Sequence, residues 1–385
     1  WQKAVEDWQW RTKKVGVIGS GSSVIQTVAA LQPHVGRMVQ FVRGKTWVSP
    51  PFTRQKLGEL LQRDTDAENF EFSQADKEAF KDEEVYKQFR HELESALQSD
   101  HCVTLRGSTR QTKARQELTE NMRKKLWKKP WILDHLLPDF GVSCRRLTPG
   151  PGYLEVFSQM PFVPKDIRRI TPRGIETVDG KHIDVDVIIC ATGFDISFHL
   201  DFSITGRGGL SIQEKWTPHP STYLSMCTDG FPNWFMAFGP NSVLAAGSLL
   251  ILLERQVEYA VAAMKKMQRE RLKSIKVKKE AVRDFDEYLE NYFPKTVFSE
   301  KCRSWYKMGT EDGRIVGLWP GSSLHGLRVL EHPRWEDFNY ESADGVHNRF
   351  YWLGDGQTCN EKTMTGDRAW YLNDNEVDIP PSECP

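Results

Sequence analysis

The sequence predicts an α/β fold with a parallel sheet and a dinucleotide-binding turn, and three observations carry that expectation. "KKVGVIGSGSSVIQ" at 13–26 reads as a strand, a glycine turn and a helix. "VDVIIC" at 185–190 is a continuous, largely β-branched run of the kind found at the centre of a parallel sheet. Between them, residues 55–140 are charged and apolar with a helical period.

Taken in order, Val15, Val17 and Ile18 form the first buried strand. Ile25, Val28 and Ala29 give the following helix its sheet-facing side, and Met38, Val39, Phe41 and Val42 make the second strand. This is one βαβ unit. After "WVSPP" at 47–51 the character changes. Phe89, Leu93 and Leu97 stack four apart, "SQAD" at 73–76 resembles a capping box, and Pro130 and Pro138 punctuate the end. The segment 49–143 reads as a helical insertion in a nucleotide-binding domain made of 1–48 and 144–195; a separate helical domain on a linker is the alternative. "GIETVDGKHIDVDVIICATGFD" at 174–195 reads as a strand, a DG turn and a central parallel strand. A mixed, aromatic-rich region covers 196–245, and an amphipathic helix spans roughly 247–272. The last hundred residues, rich in Trp, Gly and Pro, read as loops over a scaffold. No repeat or low-complexity tract is present.

Composition narrows the function classes. Across 385 residues, 52 acidic and 52 basic side chains balance, so no net field favours nucleic acid or anionic lipid. The longest apolar run, "LLILL" at 249–253, is far below spanning length. Seven cysteines without a CxxC pair read as free thiols in a reducing, cytoplasmic setting. The ten histidines show no metal-ligand spacing, and "GSS" at 321–323 lacks the elbow of a serine hydrolase. Trp305, Tyr306 and Trp319 suit aromatic packing better than a substrate pocket. With Trp at position 1 and no leader pattern, the chain reads as a fragment.

The glycine turn supplies the chemistry. Gly19 permits the tight turn and Gly21 lets backbone amides approach a pyrophosphate, while Ser20, Ser22 and Ser23 carry the chain into a helix N-terminus with free N–H groups. Val24 stands where a small residue is usual, a departure expected to loosen helix–strand contact. The second strand ends "FVRGKTW", placing Arg43 and Lys45 where a carboxylate would read an unphosphorylated ribose. Two cations there point to the 2′-phosphate of NADP(H), Arg as a fork and Lys as a point charge. A solvated basic turn is the plainer alternative.

Four stretches, "GVIGSGSSVIQ", "CRRLTPGPGYLE" (144–155), "ATGFD" (191–195) and "FGPNS" (238–242), together resemble the flavin-dependent Baeyer–Villiger monooxygenases. "CRSWYK" (302–307), "LWPGSSLH" (318–325) and "PRWEDF" (333–338) extend the likeness over nearly the whole chain, nearest a fungal branch related to 4-hydroxyacetophenone-type enzymes. The resemblance implies a flavoprotein with two dinucleotide-binding domains. The chain would hold the Rossmann-like NADPH domain with its helical insertion, and in 196–385 the C-terminal part of an FAD domain with substrate-covering loops. The first FAD loop would precede Trp1, which would end the family's fingerprint.

The resemblance also implies an activity and its residues. NADPH reduces FAD, and one atom of O2 is inserted beside the carbonyl of a ketone, a fungal secondary metabolite being the expected substrate. Gly19 to Ser23 and Gln26 match the pyrophosphate loop, and Arg43 and Lys45 the 2′-phosphate readers. Thr192, Gly193 and Phe194 match a crossover strand between the cofactors. Gly239, Pro240, Asn241 and Ser242 match a segment whose amides and helix start would polarise the flavin. An active-site arginine of the family is replaced by Gln159 in this alignment. Arg145 or Arg146 would then supply the catalytic cation; otherwise it is missing and these arginines are structural. By itself the chain is expected to hold little FAD and to be inactive. Two other readings stay open: a non-enzymatic NADP-binding remnant, and a flavoprotein that hydroxylates nitrogen or oxidises other heteroatoms.

Overall fold

The computed structural model describes residues 8–63, 70–198, 200–343, 345 and 347–372; Trp1 lies outside them. The strands are β1 Lys14–Ile18, β2 Arg37–Phe41, β3 Val48–Ser49, β4 Thr148–Pro149, β5 Phe162–Val163, β6 Ile167–Thr171, β7 Gly174–Thr177, β8 His182–Asp184, β9 Val187–Cys190, β10 Leu272–Val277 and β11 Phe338–Ser342. The helices used below are α1 Ser22–Leu31, α2 Arg54–Leu61, α3 Gln74–Ala79, α4 Glu83–Gln98, α5 Thr109–Lys125, α6 Leu249–Arg269, α7 Lys279–Tyr292 and α8 Ser323–Leu330.

A four-stranded parallel sheet in the order β5-β2-β1-β9 organises the first core. Val15 sits opposite Met38 on one side and Val187 on the other, so β1 is covered all round and its valines are fully buried. Helix α1 buries Val24, Ile25, Val28 and Leu31, a single stripe at helical spacing, against this sheet. The apolar run at β9 is parallel as expected, but it lies at the edge of the sheet and is only half-buried. Its β-branched character serves one partner, β1, and the antiparallel hairpin β6-β7-β8 just before it. The DG turn of that hairpin is present: Gly180 has φ +82° and its N–H donates to Thr177.

The capping box at Ser73 and Asp76 forms as read, and it opens α3. That helix is short because Asp82 starts a new one, its carboxylate accepting from the Glu84 and Val85 amides at the N-terminus of α4. Helix α5 buries Gln111, Ala114, Leu118 and Met122 in the same core as the sheet. Helix α6 buries Leu252, Gln256, Tyr259 and Ala263 in a second core, which it shares with α7, α8 and the antiparallel pair β10-β11. The C-terminal part is therefore more regular than its composition suggested. Strand β11 exposes three consecutive residues, Asn339 to Glu341, and α8 is brief, so both are weak signals in sequence.

One expectation is overturned. Cys144 and Cys302 are joined in a disulfide across 158 positions, and only Cys102, Cys190, Cys227 and Cys359 are free among the described residues. Spacing in sequence does not reveal such a pair, because the fold alone brings the two together. Among the described residues no helix is long and apolar enough to cross a membrane, and no cluster of three His, Cys, Asp or Glu side chains forms a metal cage.

Candidate dinucleotide site

The glycine turn lies where β1 leaves the sheet. Gly19 adopts φ +134°, and a Cβ there would run into the Ala191 carbonyl, so the position admits glycine alone. The Gly19 N–H donates to the Phe41 carbonyl at 3.1 Å. Gly21 caps α1 and has open space around it; nothing lies within 4 Å of where its Cβ would be. The first bond within the helix runs from the Ile25 N–H to the Gly21 carbonyl, leaving the Ser22, Ser23 and Val24 amides at the positive end of α1. Ser22 Oγ shares a hydrogen bond with Thr148 Oγ1, which fixes the helix start to β4. Val24 does not loosen this contact. It is fully buried, its Cγ2 lies 2.9 Å from the Cβ position at Gly19, and it packs over the space the glycine leaves. Gln26 is exposed on the next turn.

Beside this turn stands a loop of cations. Arg43 is exposed, and Lys45 is 3.6 Å from Asp139 in an exposed ion pair. Sequence reasoning gave Arg145 a catalytic role, but it sits against this loop. Its Nη1 donates to the Lys45 carbonyl at 2.7 Å, and a Cβ on Gly44 would lie 3.4 Å from that nitrogen and 3.5 Å from Ser20 Oγ. Among the described residues Arg145 has no ion-pair partner. Burial, with the charge of Arg303 adding to it, holds its guanidinium below the ordinary range. A half-buried cation facing another cation is a ready site for an anion.

Arg146 points elsewhere. It is exposed, and its charge acts on the buried Tyr306 phenol, partly opposing the upward push of burial. Gln159 ends a short helical turn and is exposed. Thr192, Gly193 and Phe194 follow β9 as exposed chain, not as a strand; the Ala191 N–H makes the last ladder bond, to Ile18. They remain next to the glycine turn because β9 pairs with β1.

Gly239, Pro240, Asn241 and Ser242 belong to the second core. No helix starts there; α6 begins at Leu249. The Asn241 N–H donates to Val316, the Ser242 N–H to Gly239, and the Asn241 side chain to the carbonyls of Ile315 and Leu318 at 3.1 and 3.0 Å. The amides of Asn241 and Ser242 and the Asn241 side chain are thus bonded within the protein. The 315–318 chain bonds onward to Tyr306, and the Cys144–Cys302 disulfide ties that neighbourhood back to Arg145 and Arg146. Tyr306 and Trp319 are buried and Trp305 is partly covered, as packing aromatics would be. Sequence reasoning missed Gln40, Tyr153 and Thr148, all buried polar groups that touch the turn or its neighbours.

No family model matches the chain. The FAD-binding monooxygenase tazF of Aspergillus terreus is 35% identical over 371 residues, covering 95% of this chain and 65% of the relative. A Baeyer–Villiger monooxygenase of Pseudomonas aeruginosa is 29% identical over 320 residues, covering 82% of this chain and 57% of its own length. The chain thus spans less than two thirds of either relative. Among solved structures, cyclohexanone monooxygenase from Rhodococcus sp. Phi1 bound to NADP+ superposes with a TM-score of 0.66 and 25% identity, over 87% of this chain and 68% of that one. The fold is therefore that of flavin monooxygenases with two dinucleotide-binding domains.

Proposed function

Taking as premise that this chain is a homologue of the FAD-binding monooxygenases, we propose that it forms the NADP(H)-binding side of a Baeyer–Villiger monooxygenase acting on a ketone.

 The observation that carries this is Arg145: a half-buried cation with no acidic partner among the described residues, bonded to the Lys45 carbonyl and set beside the glycine turn.

The residues present fit a phosphorylated dinucleotide. The Gly19 cradle would be filled by any side chain, Gly21 is open, and the first amides of α1 have no partner within the helix. The Ser20–Val24 amides would hold the pyrophosphate, and Arg43, Lys45 and Arg145 would hold the 2′-phosphate. NADPH would supply a hydride. Arg145 would serve as a binding residue in this reading. Arg146, exposed and near Tyr306, is then the better candidate for the catalytic cation, stabilising negative charge on oxygen by a fixed positive one. Thr192 to Phe194 would border the cofactor from the end of β9. FAD belongs to the proposal for the whole protein, where it would supply oxygen activation. In the segment 239–242, Asn241 holds the 315–318 chain through its amide and side chain.

Calorimetric titration with NADP+ and NAD+ tests the cofactor reading, with NADP+ expected to bind at least about tenfold more tightly through its extra charge-assisted contacts. Equal affinity for the two would sink it. Incubating the whole protein with NADPH, O2 and a panel of ketones, amines and sulfides tests the reaction. Ester or lactone products support it, and oxidation of the heteroatoms alone favours the other flavoprotein chemistry.

A further inference from the structure

Gln40 is fully buried in β2, flanked along the strand by the buried Val39 and Phe41. A primary amide in such a place is costly unless it is bonded. Its Nε2 donates to two acceptors, the Gly19 carbonyl at 3.0 Å and the Tyr153 hydroxyl at 2.9 Å. Gly19 is thus tied to β2 twice, because its own N–H donates to the Phe41 carbonyl. The Gly19 carbonyl and the Ser20 N–H belong to one planar trans peptide and point in opposite directions. Holding the carbonyl on Gln40 therefore aims the Ser20 N–H away from β2, and that N–H meets no protein acceptor among the described residues. Tyr153 is well placed to brace the amide. It is fully buried, packs edge-on against Phe157 with ring centroids 5.1 Å apart, and burial keeps its phenol protonated.

We propose that Gln40, braced by Tyr153, is a positioning residue: it fixes the Gly19–Ser20 peptide plane so that the Ser20 amide faces the pyrophosphate of a bound dinucleotide. This rests on reading the turn as the NADP(H) site. It assigns a role to a strand residue remote in sequence from its partner, since Gln40 and Tyr153 are 113 positions apart.

The test uses the full chain and two probes, NADP+ and adenosine 2′-monophosphate, which carries the ribose phosphate but no pyrophosphate. Gln40→Met keeps the length and loses both donors. It is expected to weaken NADP+ by about five- to tenfold, the scale of one lost hydrogen bond, and to leave adenosine 2′-monophosphate within about twofold. No loss for NADP+, or equal loss for both probes, overturns the proposal. Tyr153→Phe keeps the ring and is expected to show the same selectivity at about two- to threefold; it carries the test if Gln40→Met does not fold, and a non-selective loss there overturns the proposal too. A wild-type chain indifferent to NADP+ overturns the reading of the turn itself, which separates the two failures.

Discussion

Arg145 Nη1 donates to the Lys45 carbonyl at 2.7 Å, joining the segment after the helical region to the loop after β2. Arg145→Ala is expected to weaken NADP+ by about ten- to a hundredfold, the range of a charge-assisted hydrogen bond worth about 1.5–3 kcal/mol, and to leave NAD+ unchanged. Arg145→Lys should recover only part of the loss, because an ammonium lacks the planar fork. Titration of the three proteins with both dinucleotides checks this.

The two glycines of the turn should separate stability from binding. A Cβ at Gly19 clashes with the Ala191 backbone at φ +134°, so Gly19→Ala is expected to cost about 2 kcal/mol or more in urea unfolding. Gly21→Ala meets open space and should leave the unfolding midpoint nearly unchanged. Its added methyl still stands where the pyrophosphate would come, so NADP+ affinity should fall in the variant that folds well.

Asp139 holds Lys45 at 3.6 Å, with 40% of the lysine side chain and 80% of the aspartate side chain exposed. Such a pair contributes at most about 1 kcal/mol. Asp139→Asn should therefore leave stability unchanged while freeing Lys45 for the ligand. NADP+ should bind about two- to threefold more tightly at low salt, and the gain should shrink as salt screens it.

His101 and His325 lie within electrostatic reach of each other; His101 is near the Tyr292 hydroxyl and His325 accepts a hydrogen bond from Trp319 Nε1. Burial holds both imidazoles below the ordinary 6.5, with His325 lowering His101 further. A lowered folded-state value means the unfolded chain binds more protons. The stability these groups contribute is full above 6.5 and is lost as the pH falls through their folded values. Urea midpoints measured from pH 7 to pH 5 should fall, and the slope should flatten in His101→Gln/His325→Gln.

The disulfide gives a chemical count. The chain has seven cysteines, and with Cys144 and Cys302 paired, Cys102, Cys190, Cys227 and Cys359 should alkylate in denaturant without reductant while the bridged pair does not. All seven should react after reduction. Cys302→Ser is expected to lower stability by about 2–4 kcal/mol, since the bridge closes a long loop. Seven reactive thiols without reductant would show that the bridge is absent.

The glycine turn was legible in the sequence because its constraints are local: one left-handed glycine, one open glycine and a helix that begins three residues after the first of them. The parallel pairing of β1, β2 and β9 followed from apolar runs for the same reason. The site's remaining partners were not legible. Arg145 reaches Lys45 across 100 positions, and Gln40 reaches Tyr153 across 113, distances over which local pattern carries no information. The placement of β9 at an edge was likewise hidden, since a β-branched run reads alike whether one or two strands flank it. At 239–242 the motif marked the segment, but only the fold shows that the donors of Asn241 turn inward to 315–318.

The bridge from Cys144 to Cys302 encloses β4 to β10, α6 and α7 in one covalent ring. Within that ring, the stretch after β9 exposes Phe194 and Phe202, side chains that chymotrypsin accepts. A single cut there would open the ring without releasing a piece. The nicked protein should run as one full-length body on a non-reducing gel and as two fragments once dithiothreitol is added.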